Sequence, residues 1–182
     1  MAPMKAAYPR VSFADLEKWP DDGRRYELYD GEVYEMPSLI PLHQMVSGRL
    51  YLALSDYVRE HGGVVLYAPL DIVLTEYDVV QPDLVFFTRE RQHLVNPRKV
   101  TRIPPDLAIE IVSPSTEGND RGRKMRLLAR HDVREFWLVD PDAETIEIYA
   151  LHGKEFVVAG IASGAEPVRS PLLPDLSLTA KV

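Results

Sequence analysis

No cysteine occurs in this sequence of 182 residues. Disulfides and thiolate metal sites are therefore excluded, and the composition fits a reducing, cytoplasmic setting. The apolar runs are short and interrupted, too short to span a bilayer, so no membrane association is expected. The opening MAPMKAAYPR lacks the apolar stretch of a secretory signal. His43, His61, His93, His131 and His152 lie far apart and form no H-E-x-x-H, which removes the usual zinc-hydrolase signature. A G-x-S-x-G elbow, a G-x-x-x-x-G-K-[ST] phosphate loop and a dinucleotide glycine fingerprint are missing too. Serine hydrolases, P-loop enzymes and nicotinamide dehydrogenases drop out with them.

Positive charge is also in short supply. Lys and Arg number 21 against 28 Asp and Glu, a formal net charge of −7. Such a balance is a poor start for gripping a polyanion. The distribution is uneven, however: residues 89–130 hold ten Arg or Lys and only five Asp or Glu. A local basic surface inside an acidic protein fits phosphate binding and fits an ordinary solvated face equally well.

What remains is average for a globular chain, 46% hydrophobic and 27% charged. The length suits one domain over residues 1–182 with a sizeable core. Ser12-Phe-Ala-Asp15 has the form of a capping box opening a short helix that ends before Pro20. RRYELYDGEVYEM reads as a β-hairpin, 25–29 paired with 32–36 around Asp30-Gly31 and closed by Pro37 and Pro41. Leu42, Met45, Val46, Leu50, Ala53, Leu54, Tyr57 and Val58 follow helical spacing to about Glu60, and His61-Gly62-Gly63 stops the helix. VVLYAPLDIVLT is β-rich, with a bend or edge at Pro69.

A polar turn then leads through Gln81-Pro82-Asp83 into LVFF, a buried strand. Residues 89–103 read as a loop with a short helix, and Pro104-Pro105 introduces the strand DLAIEIVS. Asn119–His131 reads as a helix with Met125, Leu128 and Ala129 on its apolar side. REFWLVD, TIEIYA and KEFVVAG follow as strands, and PLLPDLSL as a closing extended segment. Trp19, Trp137 and the nine tyrosines are assigned by default to core packing. The simplest architecture is α/β (α+β mixed): one mixed sheet flanked by helices, with the hairpin at its N-terminal side.

The informative residues are acids placed where acids are costly. Glu110 sits inside LAIEIV, and a strand there puts Asp106, Ala108 and Glu110 on one face and Leu107, Ile109 and Ile111 on the other. A carboxylate in such a run needs a partner or a metal. Asp83 begins another buried strand; if the two strands are neighbours, the acids converge at one sheet end. Two such carboxylates suit Mg2+ or Mn2+, which polarises a phosphoryl oxygen and lowers the pKa of water. Lys124, early in the following helix, supplies a candidate ammonium for the charge that develops on phosphate. Plainer readings stand beside these: Asp83 as a turn cap, Glu110 paired with an Arg across strands, and Lys124 paired at i,i+4 with Asp120.

YELYDGEV, His43-Gln44, QPDLVFF, PPDLAIEIVSPST, the Asp120 to Lys124 helix and VREFWLVDP together give the chain a family likeness. From about Tyr26 to Tyr149 it resembles the Uma-type family of bacterial restriction-endonuclease-like proteins, within the PD-(D/E)XK nuclease superfamily. The resemblance implies a restriction-endonuclease-like core. It also implies a Mg2+- or Mn2+-dependent endonuclease that hydrolyses phosphodiesters in nucleic acid, with DNA favoured over RNA. Asp83 and Glu110 would be the metal-binding acids and the Ile111 carbonyl a further ligand. The motif's lysine belongs two residues after the second acid, where this chain has Val112; the resemblance implies its migration to Lys124. Glu27 matches an acidic position that completes such sites, with a cross-strand Arg pair as its plain alternative. His43 is expected near the site or as a polar residue at a helix start. Ser113 and Ser115 are expected to bond phosphate or, preferably, their own loop, and Asp120 to hold Lys124. Duplex cleavage implies a homodimer. The rival reading is a non-catalytic nucleic-acid-binding or assembly module on the same fold.

Overall fold

Ser12 caps the first helix, α1 (Phe13–Leu16): its hydroxyl accepts from Asp15 N while the Asp15 carboxylate accepts from Ser12 N, a reciprocal capping box. The computed structural model describes residues 9–113, 118 and 120–181. Strands β1 (Arg25–Tyr29) and β2 (Glu32–Met36) form the expected hairpin, with Arg25 opposite Met36 and Tyr29 opposite Glu32. Its turn puts Asp30 and Gly31 at φ 53° and 80°, the positive values a tight hairpin turn demands. Helix α2 spans Pro41–His61 and ends at Gly62. Pro41 belongs to its first turn, where a missing N–H loses no helical bond.

The remaining strands are β3 (Val64–Tyr67), β4 (Ile72–Thr75), β5 (Asp78–Val80), β6 (Leu84–Phe87), β7 (Leu107–Ile111), β8 (Glu135–Asp140), β9 (Thr145–His152) and β10 (Glu155–Ser163). They build two sheets where one was expected. The larger runs β10-β9-β8-β7-β6-β3 and the smaller β2-β1-β5-β4. The hairpin therefore belongs to the smaller sheet. Past Pro69 the chain leaves the large sheet; β4 pairs with β5, and β5 with β1, Leu28 facing Val79. The stretch read as a polar turn thus contains a three-residue strand, in which Val79 and Val80 are wholly buried. The C-terminal PLLPDLSL is not extended; it bends and turns, and buries Leu173 and Leu176 in the main core.

β7 is the pivot. It pairs antiparallel with β6 and parallel with β8. A parallel pair needs a crossover. Here the crossover carries a π-helical turn (Asp120–Lys124) and helix α3 (Met125–Arg130). On one face of β7, Leu107, Ile109 and Ile111 pack with Val46, Leu50 and Leu54 of α2. On the other, Ala108 packs with Leu127 and Leu128 of α3, with Phe136, and with Tyr29, Ile72 and Val80 of the smaller sheet. The two-residue period of a strand assigns Glu110 to the Ala108 face, toward α3 and the smaller sheet. Trp137 is core as expected; Trp19 is not, being exposed with its ring edge-on to Tyr26. Among the described residues no helix is long and apolar enough to cross a membrane.

Candidate active site

Asp83 is fixed from three sides at the start of β6. Its Oδ2 accepts from Ile111 N at 2.8 Å, its carbonyl accepts from Ala68 N at 2.9 Å, and His43 Nε2 stands 3.1 Å from the same carboxylate oxygen. His43 is buried and reaches down from the first turn of α2. The bond to Ile111 N ties Asp83 to the end of β7, next to Glu110, so the two acids do share a sheet end.

Glu110 meets the chain's crossover. Lys124 Nζ lies 2.9 Å from Glu110 Oε1 and 2.8 Å from Glu27 Oε1, with Lys124 and Glu27 wholly enclosed. Glu27 also accepts from Tyr29 OH at 2.6 Å and from Gln81 N at 2.7 Å. Its partner is thus a lysine from across the fold, and its cross-strand neighbour is Tyr34, not an arginine. The plain alternative for Glu110, an arginine across strands, gives way to Lys124 in the same manner. A continuous α-helix was expected over Asn119–His131. The π-helical turn that stands there is wider than an α-turn. Lys124 ends it and stands three and four residues before Leu127 and Leu128, so the three buried side chains share one helix face. The side chain of Asp120 and all of Ser115 lie outside the described residues, so their expected roles are not placed. Ser113 lies beside the acids.

Between these groups is a cavity of about 20 Å³, walled by Asp83, Glu110, Ile111, His43, Gln81 and Ser113. It has room for about one water-sized sphere. It adjoins a more open cleft of about 260 Å³ that shares His43, Ile111 and Ser113 and runs out past Leu39, Ile40 and Leu42. Asp83, Glu110, Gln81 and Ser113 bring oxygens to the small cavity's walls, the donors a hard divalent cation takes, beside the nitrogens of His43 and Arg25. Glu27, Asp83, Glu110 and Lys124 bring three buried carboxylates and one ammonium, a surplus of negative charge that a cation would offset. Two buried polar atoms of residues on its walls, His43 Nδ1 and Gln81 Oε1, have no hydrogen-bond partner among the described residues. Among the described residues no three His, Cys, Asp or Glu converge as a ready-made metal cage. Backbone or amide oxygens would have to complete a shell begun by Asp83 and Glu110, and the Ile111 carbonyl is at hand. The residues fit a magnesium-type ion on these terms.

Sequence reasoning missed Gln81 and Arg25. Gln81 was read only as the lead-in to Pro82-Asp83, although a polar residue directly before a buried acid is a signal. Arg25, at the cavity's mouth, donates to the Pro37 carbonyl at 3.0 Å; nothing in its hairpin context marks it out.

Residues 13–181 match the family model described as "Uma2: Putative restriction endonuclease". The chain belongs to the Uma2 family. A relative in Synechocystis sp. (strain ATCC 27184 / PCC 6803 / Kazusa), named "Uncharacterized protein slr1290", is 28% identical over 149 residues, which cover 79% of this chain and 76% of that one. Among solved structures, a "putative nuclease belonging to DUF820" from Anabaena variabilis ATCC 29413 superposes with a TM-score of 0.77 at 20% identity, covering 94% of this chain and 96% of the other. At that identity the likeness speaks for the fold. The Uma2 chain described here therefore has the mixed α+β fold of that neighbour, with two sheets and few helices.

Proposed function

We propose that this Uma2 protein is a divalent-metal-dependent endonuclease acting on nucleic acid, with DNA as the favoured substrate. The observation that carries the reading is the buried cluster itself: Asp83 and Glu110 wall a water-sized cavity at a sheet end, and Lys124 and Glu27 stand behind Glu110. A cation held by Asp83, Glu110 and the Ile111 carbonyl would supply Lewis acidity toward a phosphoryl oxygen and lower the pKa of water. The protein's own groups do the rest. Ile111 N and His43 hold the Asp83 carboxylate in one orientation. Lys124 keeps Glu27 and Glu110 together, and because its ammonium is enclosed it acts on a phosphate through its field. Two copies, one per strand, would cut a duplex.

A second reading, a non-catalytic module for nucleic-acid binding or assembly, draws on the net charge of −7 and on Val112 standing where the motif has lysine. Thermal unfolding with and without Mn2+ separates the two. We expect Mn2+ to raise the melting temperature of the wild type and not of Asp83→Asn. Plasmid nicking should require Mn2+ or Mg2+ and vanish in Glu110→Gln. No Mn2+ shift, together with equal nicking by wild type and variant, would leave the module reading in possession.

A further inference from the structure

We infer that Gln81 is a metal ligand of this site, through its side-chain oxygen. The inference rests on reading the small cavity as a cation site, and it adds a donor that the acidic motif does not contain. Gln81 is held at both ends. Its main-chain N–H donates to Glu27 Oε1 at 2.7 Å, and its side-chain Nε2 donates to Asp71 Oδ1 at 2.7 Å. An ionised carboxylate only accepts, so the amide nitrogen must face Asp71 and the amide oxygen must face away from it. That oxygen is buried and has no hydrogen-bond partner among the described residues, while the residue walls the cavity beside Asp83 and Glu110. A buried acceptor without a donor costs about 1–3 kcal/mol. A hard cation coordinates such an amide oxygen readily, as it does carboxylates and main-chain carbonyls.

The arrangement also explains Asp71. It lies outside the acidic cluster, yet its carboxylate fixes which way the amide points, in the manner of outer groups that orient metal ligands. With Asp83, Glu110 and the Ile111 carbonyl, Gln81 gives four oxygen donors from two neighbouring strand ends. Two of them, Gln81 and Asp83, are separated only by Pro82, so the Gln-Pro-Asp stretch is a two-ligand unit, with proline setting the spacing between an amide oxygen and a carboxylate.

The test is a calorimetric titration of Mn2+ into wild type, Gln81→Leu and Asp83→Asn, with circular dichroism as the check on folding. Gln81→Leu keeps the main-chain bond to Glu27 and removes the oxygen; we expect Mn2+ to bind about 10- to 100-fold more weakly. Asp71→Asn should weaken binding by a smaller factor, because the amide is then free to turn over. A wild type that binds no Mn2+ overturns the metal site and this inference together. A wild type that binds, an Asp83→Asn that does not, and a Gln81→Leu equal to wild type overturn this inference alone. Should Gln81→Leu fail to fold, the wild type still decides. The chain has three glutamines, Gln44, Gln81 and Gln92, and the Gln81 side-chain carbonyl carbon should shift on Mg2+ addition in a 13C spectrum. A Gln81 signal that stays put at saturating Mg2+ excludes coordination.

Discussion

The ammonium of Lys124 stands 2.8 Å from Glu27 Oε1, and both side chains are closed off from solvent. The pair joins the crossover after β7 to the first hairpin, so it clamps the smaller sheet onto the larger one. Glu110 shares the same ammonium at 2.9 Å. One positive charge thus holds two carboxylates that would otherwise repel each other in a water-poor interior.

Lys124→Met should therefore cost far more stability than a surface lysine would. It leaves Glu27 and Glu110 buried beside each other, and breaking a buried pair in this way costs about 3–5 kcal/mol. Urea unfolding measures it. The double variant Lys124→Met/Glu27→Gln should recover part of the loss, because one of the stranded charges is gone. Additive losses would mean that the contact carries no coupling. Lost nicking in Lys124→Met is informative only beside this stability measurement.

His43→Ala should weaken Mn2+ binding about 10- to 100-fold while leaving the fold intact, the scale on which groups that orient metal ligands act. The imidazole meets Asp83 at 3.1 Å, and Ile111 N still holds the carboxylate when the ring is removed. Calorimetric titration of Mn2+ gives the number. An unchanged affinity would reduce His43 to a packing residue of α2.

Much of this was legible in the chain. The capping box, the Asp30-Gly31 hairpin and the span of α2 follow from local chemistry, in which each signal lies within a few residues of its effect. Glu110 was conspicuous because a strand's period put an acid between buried neighbours. The pairing of Glu27 with Lys124 was not legible, because it depends on how the hairpin sheet docks on the large sheet, and no local pattern encodes that. The second sheet was missed for the same reason: β5 is three residues long, below the length at which alternation can be recognised. Nor does the sequence distinguish a π-helical turn from an α-helix at Asp120–Lys124, since the difference is one of register against the sheet.

Glu135 makes a separate prediction about pH. Burial pushes its carboxyl above the ordinary value of 4.5, and donors from Ser170, Trp137 and Leu172 N pull it only part of the way back. Between pH 4.5 and the raised value the folded chain binds more protons at this group than the unfolded chain. Its contribution to stability is therefore present at low pH and is lost as pH rises through the folded value. Glu135→Gln cannot ionise, so the stability of wild type relative to this variant should decline as pH rises above 4.5. Urea unfolding of both proteins at several pH values tests it. A difference that is flat with pH would mean that Glu135 titrates alike in both states.

Two glycines should respond to the same substitution in opposite directions. Gly48 lies within α2, and a Cβ added there meets no atom within 4 Å. Gly48→Ala therefore removes backbone freedom from the unfolded chain without a clash, and should stabilise by about 0.5–1 kcal/mol. Gly63 stands just before β3 at φ 101°, and its Cβ would lie 2.6 Å from the Phe87 carbonyl oxygen and 2.9 Å from the Phe86 ring. Both obstacles belong to β6, the strand that Asp83 begins, so neither can yield without disturbing the β3–β6 pairing. Gly63→Ala should cost about 1–3 kcal/mol in backbone strain alone, before the steric overlap is counted. Melting temperatures of the two variants should therefore fall on either side of the wild type. Loss of stability in Gly48→Ala would mean that something covers that face of α2, whereas a neutral Gly63→Ala would mean that the start of β3 relaxes without cost to β6.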